Sequence, residues 1–411
     1  MDRGRASGNI TGASLGKPPR ILFVHGSDEM YGSDLILLTI VRGLTSEGWS
    51  VRVVLPTDIV YRGELSAELG TLGVPVDRVK LAVLRRKYFT IGGALRLTVN
   101  FLVSTLQLAR IIRREKIDLV HTHTISVLSG AAAARLTRKP HVWHISEIIT
   151  RPRLVAKWLT RMVPPFSTKI VAISGAVRDF VADGRESVRR RVTVIPNAID
   201  PVPFGSGAQR ARLRAELGLG DGIVVGMVGR VGLWKGQEVL VDAARIVVDS
   251  HPTVRFLLVG GVHDNQQQHF AALRSQIADR QLGNSMIISD FRRDIPDVLD
   301  AIDIFVQPSV QPEPFGMTVL EAMSARLPVI AASHGGPTEI VIDGVTGFLT
   351  PPRDARALAE RINKLIESPA LRREMGRQGR RRVEGEYSLP RFYAAYRNLY
   401  LDLGATNGST A

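Results

Sequence analysis

The chain has 411 residues, of which 45% are apolar and 23% are charged, and it contains no cysteine. These values exclude a mostly disordered chain, and the length predicts two or three domains because one hydrophobic core rarely grows past about 250–300 residues. Without cysteine, disulfides, thiolate metal sites and cysteine nucleophiles are excluded. The formal net charge of +15 favours polyanionic partners: nucleic acid, anionic lipid or phosphorylated small molecules.

The positive charge is concentrated in the N-terminal half. Residues 1–200 contain 30 Lys and Arg against 16 Asp and Glu, whereas residues 201–411 contain 24 against 23. Four basic segments are candidates for contact with an anionic membrane surface: RRKYF at 85–89, ARIIRREK at 109–116, RPRLVAKWLTR at 151–161 and RESVRRRV at 185–192. The basic residues lack aromatic interleaving and any recognised nucleic-acid motif, so no nucleic-acid partner is expected.

Residues 1–18 are predicted to be a disordered tail, because they are rich in Gly, Ser and Thr. They are not expected to be a signal peptide, because Gly, Ser and Thr follow Arg3 and Arg5 where a signal peptide has an apolar stretch. The most apolar long stretch, Tyr88–Ile112, contains two arginines, an Asn and a Gln, whereas a membrane span needs about 20 nearly uncharged residues. We therefore expect a cytoplasmic protein, with peripheral contact to the inner face of the membrane as an added hypothesis.

From Arg20 onward, short apolar runs alternate with longer helical patterns. The runs are apolar throughout, which is typical of parallel strands buried on both faces. The strands predicted in the first half are Ile21–His25, Val51–Leu55, Leu119–Thr122, Val142–Ile145, Ile170–Ile173 and Val192–Ile195, with a helix at Ser33–Glu47. Such alternation predicts an α/β fold with a doubly wound parallel sheet.

A Pro- and Gly-rich linker at Ile195–Gln209 interrupts this pattern, which then restarts. The second half is predicted to contain strands Ile223–Val228, Arg255–Val259, Met286–Ser289, Ile304–Gln307 and Val329–Ala332, and helices Gln237–Asp249, Gln266–Arg280 and Thr318–Ala325. Two facing domains of similar size follow, 19–200 and 201–387, with a cleft at the linker. Ligands of such sheets bind in loops that follow the strands.

The segment QPEPFGMTVLEA at 311–322 follows one of these strands. Glu313 lies between two prolines that fix its loop, and Gly316 and Met317 open a helix. A helix start offers free N–H groups and about half a positive charge, which suits a phosphate. Glu321 lies two turns inside the helix and is a candidate for ribose hydroxyls. An ordinary proline turn with a surface glutamate is the alternative.

Two further loops follow strands in the second half. Arg230 and Lys235, in VGRVGLWKG at 228–236, are candidates to clamp a diphosphate and neutralise it as it departs. Solvated surface cations are the alternative, and the sequence lacks the P-loop pattern. The paired glycines of SHGGPTEI at 333–340 indicate either a backbone nest near an anion or sugar, or a tight turn.

The first half contributes a glycine and several histidines. Gly32 lies in HGSDEMYGS, between the first strand and its helix, where a phosphate can approach. His121 and His123 end a strand and share one of its faces. His141, His144 and Glu147, in HVWHISE, lie at the neighbouring strand. These histidines fit no known metal-binding spacing, so no metal site is predicted, although zinc and purely structural roles remain alternatives.

Together these residues resemble retaining GT-B glycosyltransferases, most closely glycosyltransferase family 4. Glu313 and Glu321 match the E-x7-E motif of that family, and Arg230 and Lys235 match its diphosphate-binding Arg and Lys. VIPNAID at 194–200 and GGPTEIVIDGVTGFLT at 335–350 resemble two further family segments. The resemblance extends from about Arg20 to about Leu403.

The resemblance implies a role for each candidate residue. Glu313 would hold the donor sugar, Glu321 the ribose, and Arg230 with Lys235 the diphosphate. Gly32 would lie near the diphosphate, although the family usually has two glycines where this chain has Tyr31 and Gly32. The helix start would bind the diphosphate through Phe315, Gly316, Met317, Thr318 and Val319. His123, in preference to His121, would face the sugars, with His144 and Glu147 as acceptor-side candidates.

The resemblance further implies a closing helix at 388–405 that returns to the first domain. It implies transfer of a sugar from a nucleoside-diphosphate sugar to a hydroxyl of a glycan or lipid-linked acceptor, with retention of configuration and without a metal or other cofactor. Cell-envelope or exopolysaccharide biosynthesis is the expected setting. The alternatives are another GT-B enzyme, either an inverting transferase or a sugar-nucleotide epimerase, and a non-catalytic membrane-associated binding protein on the same fold.

Overall fold

The computed structural model describes residues 18–85, 88–201, 208–262 and 266–408. The predicted disordered tail therefore lies almost entirely outside the described residues, as do the middle of the predicted linker and two residues of the basic segment at 85–89.

A seven-stranded sheet forms the first half of the chain. In chain order its strands are β1 Ile21–His25, β2 Val51–Pro56, β3 Val76–Val79, β4 Leu119–His123, β5 His141–Ile145, β6 Lys169–Ala172 and β7 Val192–Val194. Their order in the sheet is β3-β2-β1-β4-β5-β6-β7. β1 pairs in parallel with both β2 and β4, so the chain reverses its direction of winding between β1 and β4. The doubly wound sheet predicted from uniformly apolar runs is confirmed.

Helices connect these strands. They are α1 Gly32–Ser46, α2 Glu64–Thr71, α3 Ile91–Arg114, α4 Ser129–Leu136, α5 Arg153–Met162, α6 Gly175–Ala182 and the single turn α7 Glu186–Arg189. One core joins strand residues such as Leu22 and Val120 to Leu108 and Ile112 of α3. Helices that cover a parallel sheet bury both of its faces, which explains why its strands do not alternate in polarity.

A second, six-stranded sheet follows, with the order β10-β9-β8-β11-β12-β13. Its strands are β8 Val224–Val228, β9 Arg255–Val259, β10 Met286–Ser289, β11 Ile304–Gln307, β12 Val329–Ala332 and β13 Gly347–Thr350. Its helices are α8 Ala208–Glu216, α9 Gln237–Ser250, α10 Gln267–Asp279, α11 Ile295–Ala301, α12 Met317–Ser324, α13 Pro337–Ile340, α14 Ala355–Glu367 and α15 Pro369–Glu386. The direction of winding reverses between β8 and β11.

The last helix, α16 Leu389–Gly408, returns to the first sheet. The Tyr400 hydroxyl is hydrogen-bonded to Nδ1 of His121 on β4 at 2.8 Å, and Arg397 pairs with Glu47 at the end of α1. The ring of Tyr393 lies over Gly43 of α1, where any side chain would collide with it. The closing helix therefore packs on the N-terminal sheet, as the family resemblance implies.

Among the described residues, α3 is the one helix with the length and apolar composition needed to cross a membrane. A third of its most apolar stretch is buried. The core helix of a soluble protein can have the same length and apolar composition, so these two properties are weak evidence for a membrane span. Asn100, Ser104 and Leu108 of α3 are buried in the protein, so one side of the helix packs as part of the first half.

The chain divides into two compact units. One contains the chain up to Trp143 together with Phe166–Thr168 and Tyr393 onward, and the other contains His144–Pro165 and Lys169–Phe392. The boundary between the units lies at Trp143 and His144, within strand β5 of the first sheet. The domain limits 19–200 and 201–387 follow the two sheets instead, and they stay a prediction.

Candidate active site

Two loops of the second unit meet where its sheet reverses direction. The loop after β8 carries Arg230 and Lys235, and the loop after β11 carries Glu313. Because β8 and β11 are neighbours in the sheet, both loops leave its carboxyl edge side by side. Ligands of open α/β sheets bind at this point of reversal, so the topology places these three predicted residues at the expected position.

The Glu313 carboxylate is the centre of this arrangement. It is only 5% exposed, and its Oε1 atom accepts three hydrogen bonds. The donors are Nζ of Lys235 at 2.7 Å, the amide of Gln307 at 2.7 Å and the hydroxyl of Ser309 at 2.8 Å. A buried carboxylate needs such partners to remain ionised. Within the described residues no hydrogen bond reaches Oε2, which leaves that oxygen for a ligand hydroxyl.

Lys235 is held on two sides. Its ammonium group pairs with Glu313 and also lies 4.1 Å from the centre of the Trp234 ring. An ammonium has three N–H donors, so this pairing leaves donors for a phosphate oxygen. Arg230 is exposed, and its carbonyl accepts a hydrogen bond from the Gln237 side chain at the start of α9. Both cations predicted for the diphosphate are therefore present on one loop.

Glycines allow these loops to approach each other. Gly236 has a φ of 80°, and a Cβ there would collide with the Pro308 carbonyl oxygen of the neighbouring loop. Gly335 has a φ of 70°, and a Cβ there would collide with the backbone of Glu313. The amide of Gly336 donates to the Glu313 carbonyl at 2.8 Å. The paired glycines thus pack directly against the backbone of the Glu313 loop. Their spacing alone predicts only an anion-binding nest or a tight turn.

Helix α12 begins beside the same loop. Gly316, with a φ of 110°, is its N-cap, Phe315 before it is buried, and the first helical amides are those of Met317, Thr318 and Val319. The Thr318 hydroxyl lies 3.5 Å from Oε1 of Gln307, which itself bonds Glu313. The Val319 amide already donates to the Gly316 carbonyl at 3.0 Å, so Met317 and Thr318 supply the open amides of this first turn. Such amides attract anions.

Glu321 lies on the second turn of α12, as predicted. Burial raises the pKa of its carboxyl to about 7, because desolvation penalises the charged form. None of the described residues donates a hydrogen bond to this carboxylate. A buried acid with an unfilled acceptor is the chemistry required for a ribose hydroxyl.

The Glu313 loop is also anchored to α6, which lies in the same unit. The Ser174 hydroxyl, at the N-cap of α6, donates to the Pro314 carbonyl. The Glu339 carboxylate accepts from the amides of Gly175 and Ala176 at 2.8 and 3.0 Å. The Ser174 bond holds the Glu313 loop directly. The Glu339 bonds hold α13, and Gly335 and Gly336, which precede that helix, pack against the Glu313 loop.

In the first unit, Gly32 is the first residue of α1 and is exposed. The segment before it is held by Asp34, whose carboxylate accepts from the Tyr31 amide at 2.9 Å and bonds Nε2 of His25 at 2.8 Å. A Cβ on Gly32 would meet no atom within 4 Å, so the site needs no glycine for its own packing. This openness is compatible with the predicted approach of a phosphate.

His121 and His123 both lie on β4 and are fully buried. His121 is bonded to Tyr400 and packs on the Phe23 ring at 4.7 Å, and burial, followed by the neighbouring histidines, holds its pKa well below the usual value. It is therefore a structural residue beneath α16. His123 lies at the carboxyl end of the strand, 5.1 Å from the His25 ring, and remains the better candidate to face a ligand.

The histidines of β5 differ in role. His141 bonds the Thr122 hydroxyl and the Phe166 carbonyl, and burial lowers its pKa to about 4, so it is a satisfied structural histidine. His144, three residues on, is fully buried, and Glu147 follows the strand in a half-buried position. The acceptor-side roles of His144 and Glu147 remain predictions.

Sequence reasoning missed four residues that hold the site: Gln307, Ser309, Ser174 and Glu339. A signal existed for Gln307, which is a polar residue at the end of an otherwise apolar strand directly before the Glu313 loop. Ser309 lies four residues before Glu313 on the same loop, but a serine in a loop is too common to be a signal. Ser174 and Glu339 have partners far away in sequence, so no local pattern marks their contacts.

The comparisons agree with this geometry. Residues 30–202 match the family described as Glycosyltransferase Family 4, and residues 209–382 match Glycosyl transferases group 1. The alpha-maltose-1-phosphate synthase of Mycolicibacterium smegmatis is 32% identical over 301 residues, which cover 67% of this chain and 76% of the relative. The UDP-Gal:alpha-D-GlcNAc-diphosphoundecaprenol alpha-1,3-galactosyltransferase of Escherichia coli is 26% identical, covering 73% and 79%.

A solved structure is similar over nearly the whole chain. Anabaena HepE in complex with UDP is 27% identical, with a TM-score of 0.79 over 92% of this chain and 99% of that chain. The same protein in complex with UDP-glucose gives a TM-score of 0.78 at 25% identity, over 95% and 100%. The fold is thus that of a GT-B glycosyltransferase with two Rossmann-like domains, and the chain, a transferase enzyme, belongs to glycosyltransferase family 4, the glycosyl transferases group 1.

Proposed function

We propose that this enzyme transfers a sugar from a nucleoside-diphosphate sugar to a hydroxyl of a glycan or lipid-linked acceptor, with retention of anomeric configuration. The observation that carries the proposal is the buried Glu313–Lys235 pair at the point where the second sheet reverses direction. It combines an acceptor for sugar hydroxyls with a cation for the leaving diphosphate, beside the open start of α12.

The donor would bind in parts. Oε2 of Glu313 accepts from a sugar hydroxyl, Glu321 accepts from the ribose, and Arg230 with Lys235 neutralises the diphosphate. UDP is the first nucleotide to test, because HepE is solved with UDP and with UDP-glucose. As the bond between the sugar and the diphosphate breaks, negative charge grows on the diphosphate, and the two cations and the α12 amides stabilise it. Because these groups supply the positive charge, we propose that no metal is required.

The acceptor would be lipid-linked and the setting cell-envelope or exopolysaccharide biosynthesis. The name of the E. coli relative specifies a diphosphoundecaprenol acceptor. A further relative, from Staphylococcus aureus and 26% identical over 73% of this chain and 80% of its own length, is named the capsular polysaccharide biosynthesis glycosyltransferase CapM. The excess of positive charge in residues 1–200 supports work at an anionic surface. We therefore propose a cytoplasmic enzyme, peripheral on the inner face of the membrane, with His123 near the reacting sugar.

The test is turnover of a panel of UDP-, GDP- and ADP-sugars with membrane lipid extracts as acceptor, with and without EDTA. Arg230→Ala and Lys235→Ala are each expected to reduce the rate on the order of 10²–10³-fold, the usual cost of removing one transition-state donor. Product configuration is read by NMR, and the same anomer as the donor is expected. Near-normal turnover by both variants would contradict the assignment of the diphosphate site.

A further inference from the structure

Helix α3 is apolar on two faces, of which one is covered. Leu108, Ile111 and Ile112 are buried in the core of the first unit. The other face exposes six large apolar side chains, each between 47% and 95% exposed: Ile91, Leu95, Val99, Leu102, Val103 and Leu106. We call these six residues the α3 stripe. A surface helix normally presents polar side chains on the face away from its core, so this second apolar face needs a separate explanation.

The α3 stripe is continuous along the helix. Its members recur at intervals of three and four residues over four turns, which places them on one side of the helix. Scattered single apolar residues on a surface need no explanation, but an aligned row of six is a feature of interaction surfaces.

Charge surrounds the stripe. Arg96, Arg110, Arg113 and Arg114 of α3 are all exposed, and the helix contains no acidic residue. An apolar stripe bordered by arginines is the composition of helices that lie in the interfacial region of a bilayer, where each cation near anionic lipid contributes about 1 kcal/mol.

We propose that the α3 stripe docks this enzyme onto an anionic lipid bilayer, with the helix lying in the headgroup region. The inference rests on the proposed function, because a lipid-linked acceptor has to be met at the membrane. α3 does not need to cross the bilayer: its other face, including Asn100 and Ser104, is buried in the protein, and spanning would require that core to open.

Other occupants fit the charges less well. A second copy of the chain, packed stripe to stripe, would offer Arg96, Arg110 and Arg113 no acidic partner from its own α3, because that helix contains no Asp or Glu. The chain's own residues 1–17 contain Arg3, Arg5 and Lys17 and only two large apolar residues beyond Met1, Ile10 and Leu15, which are too few to cover six. A bilayer supplies both an apolar phase and negative charge.

The lack of native cysteine permits a direct test of insertion, since one introduced cysteine gives a single labelling site. Leu102→Cys places an environment-sensitive fluorophore in the α3 stripe, and Gln107→Cys places it on an exposed, more polar side of the same helix. With vesicles of equimolar phosphatidylcholine and phosphatidylglycerol, emission from position 102 is expected to shift to the blue, and emission from position 107 to shift much less.

A partition measurement complements the labels. Leu95→Ser/Leu102→Ser/Leu106→Ser is expected to bind the same vesicles at least about tenfold more weakly than wild type, because interfacial binding scales with buried apolar area. The matched control, Val60→Ser/Ile246→Ser/Val345→Ser, removes three exposed apolar side chains elsewhere and is expected to bind as wild type does. UDP affinity, measured on the same samples, should be unchanged in both variants.

Four results would overturn the proposal. Binding without a shift at position 102 would mean adsorption by charge alone. A shift without vesicles that follows protein concentration would mean that a second copy covers the stripe. A shift without vesicles that disappears when residues 1–17 are deleted would mean that the tail covers it. The fourth is no preference for the anionic vesicles. These outcomes are distinct from failure of the proposed function, which is read from UDP binding.

Discussion

A single carboxylate, Glu313, explains much of the donor site. Burying a charge is costly unless it is paired, and removing one partner of a buried pair leaves the other uncompensated. Lys235 is that partner, and Gln307 and Ser309 complete the set of donors to Oε1. Arg230, on the same loop, is exposed. The two cations should therefore differ in their effect on stability, although we propose that both bind the same diphosphate.

We expect Lys235→Ala to lower thermal stability by roughly 2–4 kcal/mol, because it leaves the Glu313 carboxylate buried without its cation. Arg230→Ala should remain within about 0.5 kcal/mol of wild type, as surface substitutions usually do. Differential scanning calorimetry measures both. Lys235→Ala/Glu313→Gln should recover stability without recovering activity, and a double variant no more stable than Lys235→Ala would contradict the pairing.

Glu321 provides a pH-dependent prediction. Its folded-state pKa of about 7 lies above the ordinary value of 4.5, so the folded chain binds more protons than the unfolded chain between these values. Stability contributed by this group should therefore fall as pH rises from about 4.5 to 7, by on the order of 2 kcal/mol. Unfolding of wild type and Glu321→Gln across that range measures the difference, which should shrink toward low pH. A difference independent of pH would contradict the raised pKa.

At the scale of single residues, the sequence predicts the candidate site residues but not the residues that hydrogen-bond to the loops that carry them. Glu313, Lys235 and Glu321 stand in motifs with fixed spacing, and the structure places Glu313 and Lys235 in direct contact. Ser174 and Glu339 could not be predicted, because their partners are set by the packing of segments more than 100 residues apart. The resemblance favoured His123 over His121 as the ligand-facing histidine, and the structure adds that His121 is held by the Tyr400 hydroxyl.

Among the elements, the close contact of the loops after β8 and β11 depends on Gly236, which ends the β8 loop. Gly236 combines a positive φ with direct contact to the Pro308 carbonyl. Gly236→Ala should weaken UDP binding at least about tenfold, because a Cβ forces the two loops apart and strains the backbone. Gly232→Ala is the matched control on the same loop, since its φ is not positive and its nearest neighbour is the flexible end of a glutamine. Equal UDP affinity of both variants, measured by calorimetry, would show that the loops do not need this contact.

The closing helix α16 should stabilise the first sheet without serving the donor. Tyr400→Phe removes one hydroxyl and leaves Nδ1 of His121 without that bond, at a cost of roughly 1–3 kcal/mol. UDP affinity should stay at the wild-type value, since Tyr400 and the donor loops lie in different units. Thermal unfolding and UDP titration of the variant measure the two effects. Unchanged stability would mean that the hydrogen bond contributes nothing in the folded protein.

Strands were predictable wherever burial on both faces made them apolar throughout. Five strands, β1, β9, β10, β11 and β12, occupy the predicted residues, and the other predicted strands are offset by a single residue at one or both ends. β3 could not be found, because it is an edge strand with the polar sequence VDRV. The apolar stretch around α3 was noticed, yet only the structure shows that one of its apolar faces stays exposed.

For the whole molecule, alternating strands and helices with a break near residue 200 predict two α/β halves, and both sheets are present. The sugar, the base and the acceptor could not be predicted, because the shapes of loops decide them. The asymmetry of charge between the halves was visible in the sequence, and the proposed docking of the α3 stripe on anionic lipid would give it a physical role.

The central claim, a nucleotide-sugar donor site at the β8 and β11 loops, is tested most directly by calorimetric titration. UDP, GDP, ADP and CMP are each titrated without metal into wild type and Glu321→Ala. The account predicts micromolar binding of one nucleotide, UDP first, and at least about tenfold weaker binding by the variant, since it loses a hydrogen bond to a charged group. Binding of no nucleotide, or equal binding by Glu321→Ala, would contradict it.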